Sequence, residues 1–355
     1  MRVGVIPESL LERIGLLTGL APVPLAEGLF AFLLARTVMI GTRLGVFEAL
    51  AAGPQTARAV AETCKTSPKA TERLLHALAG CRYLSVAAVG PDADVKFALT
   101  PAARKWLLKD AKGSCRDRML LQFLEWDWFE HAEEYVRTGT HLEAFAQLSD
   151  EGWGLYQRGM RAGVEPLAAE LARRIPIAGK PTRMLDIGGG HGHYSVAVCR
   201  RHETLSSTIL ELPEAIPHAK KLLAREGLGE RVTYRAGDAL VNDLGDAELD
   251  VVLLASVLHH FDDDQCRALF TRIARALKPG GVVVVFDVLR RAPGASPTQV
   301  GGLLDLFLAT ISPSGTRAAQ DIAAFQRQAG LAPRRSFQLR LAPDIGAQCA
   351  VKPVA

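Results

Sequence analysis

Two short segments of this sequence carry residue types that could do chemistry. Residues 185–195 read LDIGGGHGHYS, with three consecutive glycines and a fourth two positions later. Glycines at this density raise the entropy cost of folding and are typical of places where a ligand approaches the main chain. Residues 256–266 read SVLHHFDDDQC, in which two histidines precede three aspartates. Because an imidazole can take a proton near neutral pH, the two segments predict a ligand loop and a general base.

Both segments follow predicted strands of one sheet. From about residue 183, short apolar runs alternate with helical patterns, and the runs are RMLDIG, SSTILE, RVTYRAG, LDVVLLAS and GVVVVFDVL. Strands separated by helices are typical of a parallel, doubly wound α/β sheet, and the tail RRSFQLRLAPDIGAQCAVKP predicts two further strands around a turn. Ligands of such sheets bind at the carboxyl ends of the strands, so the glycine segment predicts a ligand loop.

The glycine loop alone does not identify its ligand. A P-loop is excluded because no Lys-Ser or Lys-Thr pair follows. The dinucleotide pattern GxGxxG is half met: counted from Gly188 its third glycine is His193, and counted from Gly190 it closes on Ser195. The loop could therefore bind either a nicotinamide dinucleotide or S-adenosylmethionine (SAM).

The ends of the next two strands favour an adenosine-containing ligand. Glu211 ends the second strand, where a carboxylate can accept hydrogen bonds from both ribose hydroxyls. Asp238 ends the third, where it could accept a bond from an adenine amino group while Ala239 and Leu240 pack on the ring. The alternative for Asp238 is a turn residue or a helix cap, although the adenine contact is favoured.

The N-terminal third is helical. The run EGLFAFLLARTVMIGTRLGVFEAL is apolar on nearly all sides, which predicts burial on several sides and a partner subunit that covers it. A short helix, a second helix and a hairpin-like pair follow, which is the order of a winged helix. In the second helix, Pro68 suits the first helical turn, and Ser67 before it suits the N-cap position. We predict a dimerisation domain over 1–112 and a second domain over 113–355, composed of substrate-lining helices at 113–180 and the sheet core at 181–355.

Composition excludes several classes of protein. A net charge of +4 over 355 residues predicts neither a nucleic-acid nor a membrane partner. Six scattered cysteines without a CxxC pair indicate reduced thiols, a cytoplasmic protein and no metal site. Glu8 and Glu12 stand where a signal peptide would be apolar. The longest apolar stretch, 23–40, contains Glu27 and Arg36, and is predicted to be a buried helix too short and too charged to span a bilayer.

At this point the motifs resemble a known family. LDIGGGHG, ILELPEAI, GDAL, LLASVLHHFDDDQC and ALKPGGVVVVFD occur in this order over the C-terminal domain. They resemble the class I SAM-dependent methyltransferases and, within these, the caffeate and hydroxyindole O-methyltransferase-like family with its N-terminal winged-helix dimerisation domain. The resemblance covers nearly the whole chain. It implies a Rossmann-like, mostly parallel seven-stranded sheet, a homodimer, SAM as cofactor with S-adenosylhomocysteine (SAH) as product, and no metal. The loop would then face the methionyl group and ribose rather than a phosphate.

The resemblance also implies roles for individual residues. His259 would be the base that deprotonates the methyl acceptor, and Asp287, 28 residues later, the carboxylate that orients it. A carboxylate beside an imidazole fixes the ring and stabilises the imidazolium that forms on proton transfer. The cofactor site would comprise Asp186, Gly188, Gly190, Glu211, Leu212, Asp238, Ala239 and Ser256. The acceptor, a small hydroxylated aromatic or similar metabolite, would contact Trp128, Tyr156, Met160, His260, Leu304 and Leu308.

Three positions depart from the family pattern. Asp287 is shorter than the usual glutamate, and Ala255 occupies the place of a family lysine. The second family carboxylate falls at Thr316 or Arg317. An acceptor that loses its proton easily, or a carboxylate, thiol or amine, would need less help from such a site.

Four alternatives to O-methylation follow. The chain could methylate S, N or C with the same fold, or bind the cofactor as an inactive homologue. A winged-helix regulator would need a basic recognition helix, but residues 68–80 offer Lys69 and Arg73 against Glu72. A nicotinamide oxidoreductase is opposed by His193 in the third-glycine position.

Overall fold

The computed structural model describes residues 3–87, 95–292, 294–340, 342 and 344–354. The chain divides into two compact units, Arg2–Phe123 and Leu124–Ala355. The sequence placed this boundary 11 residues earlier, after 112. The difference arises because the start of the helix Arg116–Phe129 packs in the first unit, where Arg116 pairs with Glu48 at 3.0 Å and the Arg43 guanidinium lies 3.7 Å from the Phe123 ring centroid.

The first unit is mainly helical. Its helices and strands are α1 (Leu10–Leu17), α2 (Val23–Leu25), a π-helical turn (Ala26–Phe30), α3 (Ala31–Arg43), α4 (Val46–Ala49), β1 (Gln55–Thr56), α5 (Ala57–Cys64), α6 (Pro68–Gly80), β2 (Leu84–Ala87), β3 (Lys96–Leu99), α7 (Pro101–Trp106) and the first part of α8 (Arg116–Phe129). The three strands form an antiparallel sheet in the order β1–β3–β2. This matches the predicted order of two helices and a hairpin, whose tip at 88–94 lies outside the described residues.

One face of α6 forms part of the core of this unit. Thr71, Leu75 and Leu78 are buried at the spacing of a single helix face. Ser67 occupies the N-cap position, as predicted, in extended conformation, but its side chain makes no capping bond. Pro68 does occupy the first turn, where a missing backbone N–H leaves no intrahelical bond unmade.

The apolar N-terminal helix is largely exposed in the single chain. Helical structure runs without a break over Val23–Arg43, and 11% of its most apolar window is buried. Phe30 is 62% exposed and Leu25 60%. This exposure agrees with the prediction that a partner subunit is needed to cover the helix. The expectation that the segment is too short and too charged to span a bilayer is wrong, because its 21 helical residues are long and apolar enough to do so by length and composition alone. The structure extends the helix to Arg43, beyond the stretch that ended at residue 40.

The second unit is an α/β sheet with helices. Its elements are α9 (Ala132–Thr138), α10 (Asp150–Arg161), α11 (Glu165–Arg174), β4 (Arg183–Ile187), α12 (His193–Arg201), β5 (Ser206–Glu211), α13 (Ile216–Leu223), β6 (Val232–Ala236), β7 (Leu249–Ala255), α14 (Asp263–Ala276), β8 (Leu277–Arg290), α15 (Gln299–Ile311), β9 (Arg317–Ala318), α16 (Ala319–Gln328), β10 (Ala332–Pro333), β11 (Phe337–Gln338) and β12 (Ile345–Val351). Single 3₁₀ turns cover Phe145–Gln147, Ala224–Glu226, Gly229–Arg231 and Leu258–His260.

The sheet has the predicted doubly wound topology. Its main path runs β10–β12–β8–β7–β4–β5–β6, in which β4 to β8 are parallel and β12 is antiparallel to β8. Strand order reverses at β4, which lies between β5 and β7, so the loop after β4 opens at the switch point of the sheet. The doubly wound, mostly parallel fold class is confirmed. The main path has the predicted seven strands, but β11 pairs with β12 and β9 with β8 outside that path, so the sheet has nine strands among the described residues.

Alternating residues of the central strands fill two cores. In β8, Val283 and Val285 pack on one face of the sheet, and Val282 and Val284 on the other. Burial on both faces is typical of a parallel strand covered by helices. This core holds the strand ends, and therefore the site built on them, in fixed positions.

The glycines of the segment ALKPGG suggest a helix end, but α14 ends before them. The helix ends at Ala276, Leu277 is already extended, and Gly281 lies within β8. A Cβ at Gly281 would come within 2.9 Å of the Lys278 carbonyl oxygen and 3.0 Å of that of Leu249. This glycine therefore allows close approach of backbone in the sheet rather than terminating the helix.

Candidate active site

A cavity of about 660 Å³ opens at the carboxyl ends of the parallel strands. All of its lining residues belong to the second unit. The loops after β4, β5, β6 and β7 form one wall, and α10 with the 3₁₀ turn Phe145–Gln147 forms another. This is the place where ligands of doubly wound sheets bind.

The glycine loop lies against its neighbours too closely for side chains. Gly188 and Gly190 have φ of +62° and +49°. A Cβ on Gly188 would come within 2.6 Å of Val257, and one on Gly189 within 2.5 Å of the Asp186 carboxyl group. Glycine is the residue that adopts such φ values without strain, so the loop conformation explains the run of glycines.

Glu211 ties the second strand to this loop. Its Oε2 accepts the backbone N–H of Gly190 at 2.8 Å, and its Oε1 accepts that of Leu212 at 2.8 Å. Burial raises the pKa of Glu211, and these two bonds oppose the shift. Tyr234 adds a third tie by donating to the Gly190 carbonyl at 2.7 Å. The loop is thus held in shape by β5 and β6.

Asp186 lies beneath the loop and does not line the cavity. Ser195 donates to its Oδ2 at 2.6 Å, while Oδ1 is buried and has no hydrogen-bond partner among the described residues. Burial raises the pKa of Asp186 to about 7, against the opposing effect of the Ser195 bond. This carboxyl supports the loop from below.

The next two strand ends complete the same wall. Asp238 and Ala239 line the cavity after β6, and Leu212 lines it after β5. Asp238 also caps its own turn, since Oδ1 accepts the backbone N–H of Leu240 at 2.8 Å. Ser256 follows β7 with φ of +53°, an uncommon conformation for a residue with a Cβ. Seven of the eight predicted cofactor residues therefore line one cavity, with Asp186 behind them.

His259 and Asp287 form a buried pair beside the cavity. The His259 Nδ1 lies 3.1 Å from Asp287 Oδ2, and both side chains are buried. Asp287 Oδ1 accepts the backbone N–H of Val288 at 2.8 Å, which fixes the carboxylate. Because an ionised carboxylate only accepts, Nδ1 carries the hydrogen and Nε2 is left with its lone pair. That is the tautomer a general base requires.

His260, rather than His259, is the histidine that directly lines the cavity. The two rings lie 4.2 Å apart between centroids. Burial, with a further contribution from His259, holds the pKa of His260 well below its usual value. His260 is therefore neutral at neutral pH, and no carboxylate contact is described for it that would stabilise a proton.

The loop that should carry a second carboxylate instead fastens the histidine turn. Ser314 donates to the carbonyl oxygens of His259 at 2.9 Å and Phe261 at 3.1 Å. Arg317 donates to the Phe261 carbonyl at 2.8 Å and pairs with Asp263 at 2.5 Å.

Thr316 and Ala255 show what replaces the family side chains. The backbone N–H of Thr316 donates to Asp305 at 2.9 Å, so this carboxylate of α15 binds the loop itself. Ala255 ends β7 and contributes a buried methyl group to the cavity wall. The described contacts therefore place no second carboxylate against His259.

Aromatic side chains line the other end of the cavity. The Phe145 ring lies 5.1 Å from that of Tyr156, 6.0 Å from that of Trp153 and 4.8 Å from that of His260. Met160 lines the cavity one helical turn beyond Tyr156. Such edge-to-face packing builds a wall that suits a flat, apolar ligand.

Three predicted acceptor contacts do not line this cavity. Trp128 is buried behind it, 5.8 Å from the Phe145 ring and 6.3 Å from Tyr156. Leu308 packs in the same apolar cluster, and neither it nor Leu304 reaches the lining. The aromatic cluster comes between Trp128 and the cavity, and this layering is not visible in helix periodicity.

Several lining residues escaped the sequence analysis. They include Gln157, His191, Tyr194, Phe145 and Trp153. For Gln157 a signal existed: Trp153, Gln157 and Met160 are spaced as one face of α10, and Met160 was predicted to face the ligand. His191 lies within the glycine loop itself. Phe145 comes from a 3₁₀ turn that has no periodicity to detect.

Comparison with known proteins defines the class. The O-methyltransferase domain family model matches residues 138–332, more than half of the chain, and the O-methyltransferase dimerisation domain model matches 26–109. The mitomycin biosynthesis 6-O-methyltransferase of Streptomyces lavendulae is 31% identical over 323 residues, covering 87% of this chain and 88% of that one. The N,N-dimethyltransferase OxyT of Streptomyces rimosus is 28% identical over 296 residues, covering 77% and 81%.

Solved structures of methyltransferases are similar to this chain in fold. The mitomycin 7-O-methyltransferase MmcR has a TM-score of 0.78 at 26% identity, covering 98% of this chain and all of that one. Human N-acetylserotonin methyltransferase, in complex with SAM, has a TM-score of 0.82 at 22% identity, covering 99% and 100%, and shows the shared fold. The chain belongs to the O-methyltransferase family. The predicted class, a SAM-dependent methyltransferase with a dimerisation domain, is confirmed, and the oxidoreductase and regulator alternatives are set aside.

Proposed function

We propose that the cavity binds SAM and that His259 deprotonates the hydroxyl group of a small-molecule acceptor during methyl transfer. The observation that carries this proposal is the buried His259–Asp287 pair at the edge of a cavity that a glycine loop opens. A base that is already oriented by a carboxylate, beside a loop that admits a ligand to its backbone, suits acceptor deprotonation next to a bound cofactor.

The residues present fit the cofactor. Gly188 and Gly190 leave a space that a Cβ would fill. Their positive φ values bring the loop backbone to the cavity. We assign the ribose to Glu211 and the adenine to Asp238, Ala239 and Leu212. Ser256 borders the same wall, and Asp186 supports the loop from below. When bound, SAM supplies an activated methyl group for in-line transfer to a nucleophile.

The chain's own residues then position and deprotonate the acceptor. Asp287 holds the Nδ1 hydrogen of His259, which leaves Nε2 to take the proton of the hydroxyl group. Asp287 also stabilises the imidazolium as it forms. Ser314 and Arg317 hold the backbone of the turn, so the imidazole stays in place during turnover.

The acceptor we propose is a small aromatic hydroxyl compound. Phe145, Trp153, Tyr156 and Met160 offer flat apolar surface, while His260 adds a neutral polar edge. We keep Trp128, Leu304 and Leu308 as residues that shape this end through packing. The absence of a second carboxylate against His259 favours an acceptor whose hydroxyl group loses its proton readily.

An amine acceptor is the second candidate. One relative of similar length is the N,N-dimethyltransferase OxyT, which shows that N-methylation occurs within this degree of similarity. A neutral amine already has its lone pair and needs no base before transfer. N-methylation should therefore survive His259→Ala, while O-methylation should not.

Calorimetric titration of the purified protein with SAM, SAH and NAD tests the cofactor. We expect binding of the first two at about micromolar concentration, the usual range for metabolites, and none of NAD. A radiolabelled methyl group from SAM, offered with phenols and amines, then reports transfer. If neither SAM nor SAH binds, the proposal is refuted.

Activity in excess EDTA tests the expectation that no metal takes part. Among the described residues no cluster of three candidate ligands occurs.

We propose a cytoplasmic homodimer without nucleic-acid or membrane partners, consistent with the dimerisation domain at 26–109. The exposed apolar side chains of Val23–Arg43 would then be covered by a second copy. Light scattering should give twice the chain mass for the wild type and a monomer for Phe30→Glu. Val136→Glu alters an equally exposed apolar residue in the other unit and should remain dimeric. A monomeric wild type, or equal dissociation of both variants, would contradict this assignment.

A further inference from the structure

The cavity wall between α10 and the glycine loop holds a polar atom that the proposed chemistry does not use. Gln157 of α10 is 3% exposed, and its Oε1 has no hydrogen-bond partner among the described residues. The carboxamide lies over the loop, since a Cβ on Gly190 would be 3.1 Å from this oxygen. Leaving a buried acceptor unpaired destabilises a fold, so a donor from a ligand is the natural partner of Gln157.

His191 offers the complementary group on the same wall. It lines the cavity, and its Nδ1 accepts the backbone N–H of His193 at 3.1 Å. A neutral imidazole that accepts at Nδ1 carries its hydrogen on Nε2. Burial, with the nearby His193 and Arg161, lowers the pKa of His191 to about 3, while Glu226 opposes the shift. The ring is therefore a neutral donor at physiological pH.

The sheet places these two groups where the amino-acid end of the cofactor would lie. Asp238 follows β6 and Glu211 ends β5, and the glycine loop follows β4, which is the next strand along the sheet. Adenine, ribose and methionyl group would then meet three successive strand ends. Gln157 and His191 flank the third of these.

We infer that Gln157 and His191 form the subsite for the zwitterionic amino-acid end of SAM. Gln157 Oε1 accepts a hydrogen bond from the α-ammonium group, and His191 Nε2–H donates one to the α-carboxylate. This inference rests on the proposed function. The surrounding charges leave the task to these two neutral groups, because Arg161 already pairs with Glu226 at 2.5 Å. Glu211 is assigned to the ribose, and Asp186 lies beneath the loop.

Calorimetry with SAH and 5′-methylthioadenosine tests the Gln157 contact. Methylthioadenosine keeps the adenosine but lacks the amino-acid end. Gln157→Met should weaken SAH binding about 10- to 100-fold, the range for loss of one hydrogen bond to a charged group, and leave methylthioadenosine binding within about two-fold. Gln157→Glu keeps an acceptor and should bind SAH at least as tightly as the wild type. Gln328→Met, at the exposed end of α16, is the matched control and should change neither affinity.

The outcomes separate this inference from the proposed function. If the wild type binds neither SAH nor methylthioadenosine, both the proposed function and the subsite inference are refuted. If the wild type binds both and Gln157→Met retains SAH affinity, or loses both ligands equally, the subsite alone is refuted. Equal loss of SAH by Gln157→Met and Gln157→Glu would show that Gln157 donates to the carboxylate, which also overturns the assignment.

Cofactor analogues test His191 and do not depend on the stability of a variant. With wild-type protein, SAH analogues that lack only the amino group or only the carboxyl group should each bind about ten-fold more weakly than SAH. His191→Phe should bind SAH and the analogue without the carboxyl group equally, because the donor that separated them is gone. Wild-type affinity for both analogues equal to that for SAH would refute the subsite.

Discussion

The two ends of the cavity are built from different kinds of structure. The end that we assign to the cofactor, called the cofactor end, consists of residues that follow strands: Gly188 after β4, Glu211 at the end of β5 and Asp238 after β6. The end that we assign to the acceptor, called the acceptor end, consists of side chains from α10 and a 3₁₀ turn, with Phe145 in contact with Tyr156. Sheet hydrogen bonds fix the first, whereas side-chain packing between helices fixes the second. A substitution at one end should therefore leave the other end in place.

The largest expected effect comes from filling the space at the cofactor end. Gly190→Val adds a β-branched side chain at φ +49° and directs it at Gln157, so SAH binding should fall below calorimetric detection. The matched control is Gly179→Val, which has a similar φ of +67° and nothing within 4 Å of the added Cβ. It carries similar backbone strain without the collision. Wild-type SAH affinity in Gly190→Val would mean that the ligand binds elsewhere.

The contrast between the two ends explains how far the sequence could predict the site. A strand followed by glycine, and a carboxylate at the end of the next strand, are recorded directly in the chain because parallel strands bring their carboxyl ends to one edge. The position of Glu211 follows from that rule alone. The N-terminal helix follows the same reasoning: its apolar composition predicted a partner subunit, and in the single chain the helix is largely exposed.

The acceptor end could not be predicted in the same way. Trp128 and Leu308 have the right residue types, yet both pack in the apolar cluster behind the lining, where the Trp128 ring contacts those of Phe145 and Tyr156. The order of layers depends on how helices pack, which one sequence does not record. The role of Arg317, which fastens the histidine turn from 56 residues away, likewise depends on tertiary contact.

The next largest effect is expected where the two ends meet. His259→Ala removes the base, so kcat for a hydroxyl acceptor should fall about 10²- to 10⁴-fold, the usual contribution of general base catalysis. SAH affinity should stay within a few-fold, because this imidazole pairs with Asp287 and is not among the residues that we assign to the cofactor. Steady-state kinetics and calorimetry on one preparation measure both.

Variants of His260 and Asp287 show whether His259 is the base. His260→Ala should raise the acceptor KM more than it lowers kcat, since burial keeps this ring neutral. Asp287→Asn keeps the shape of the pair but removes the charge, and should lower kcat less than His259→Ala does. A larger loss of kcat in His260→Ala than in His259→Ala would reverse the assignment of the base.

A smaller effect is expected at the acceptor end. Phe145→Ala removes a ring that contacts Tyr156, Trp153 and His260, and should raise the acceptor KM about ten-fold, the lower end of the range for one apolar contact. SAH affinity should stay unchanged. Leu303→Ala, an exposed residue of α15 away from the lining, should leave the KM unchanged. A parallel loss of SAH affinity in Phe145→Ala would show that the two ends are not separate.

The smallest expected effect is on stability beneath the cofactor end. Burial raises the folded-state pKa of Asp186 to about 7, whereas in the unfolded chain it is about 3.9. Between these values the folded chain keeps a proton that the unfolded chain has lost, so this carboxyl lowers stability progressively as pH rises from about 4 to about 7. Asn does not titrate. The wild type should therefore lose stability between pH 5 and pH 8 through this carboxyl, whereas Asp186→Asn should not. The Tm difference, Asp186→Asn minus wild type, should increase by a few degrees over this pH range, at roughly 2–4 °C per kcal/mol in a domain of this size.

Calorimetric scans without ligand at both pH values measure this difference, with the exposed Asp246→Asn as control. A difference in Tm that is the same at both pH values would mean that Asp186 is already ionised at pH 5. The loop above would then rest on a buried charge rather than on a carboxyl that keeps its proton. The cofactor end would still be fixed by the sheet, but its electrostatic support would be opposite to that inferred from the burial of Asp186.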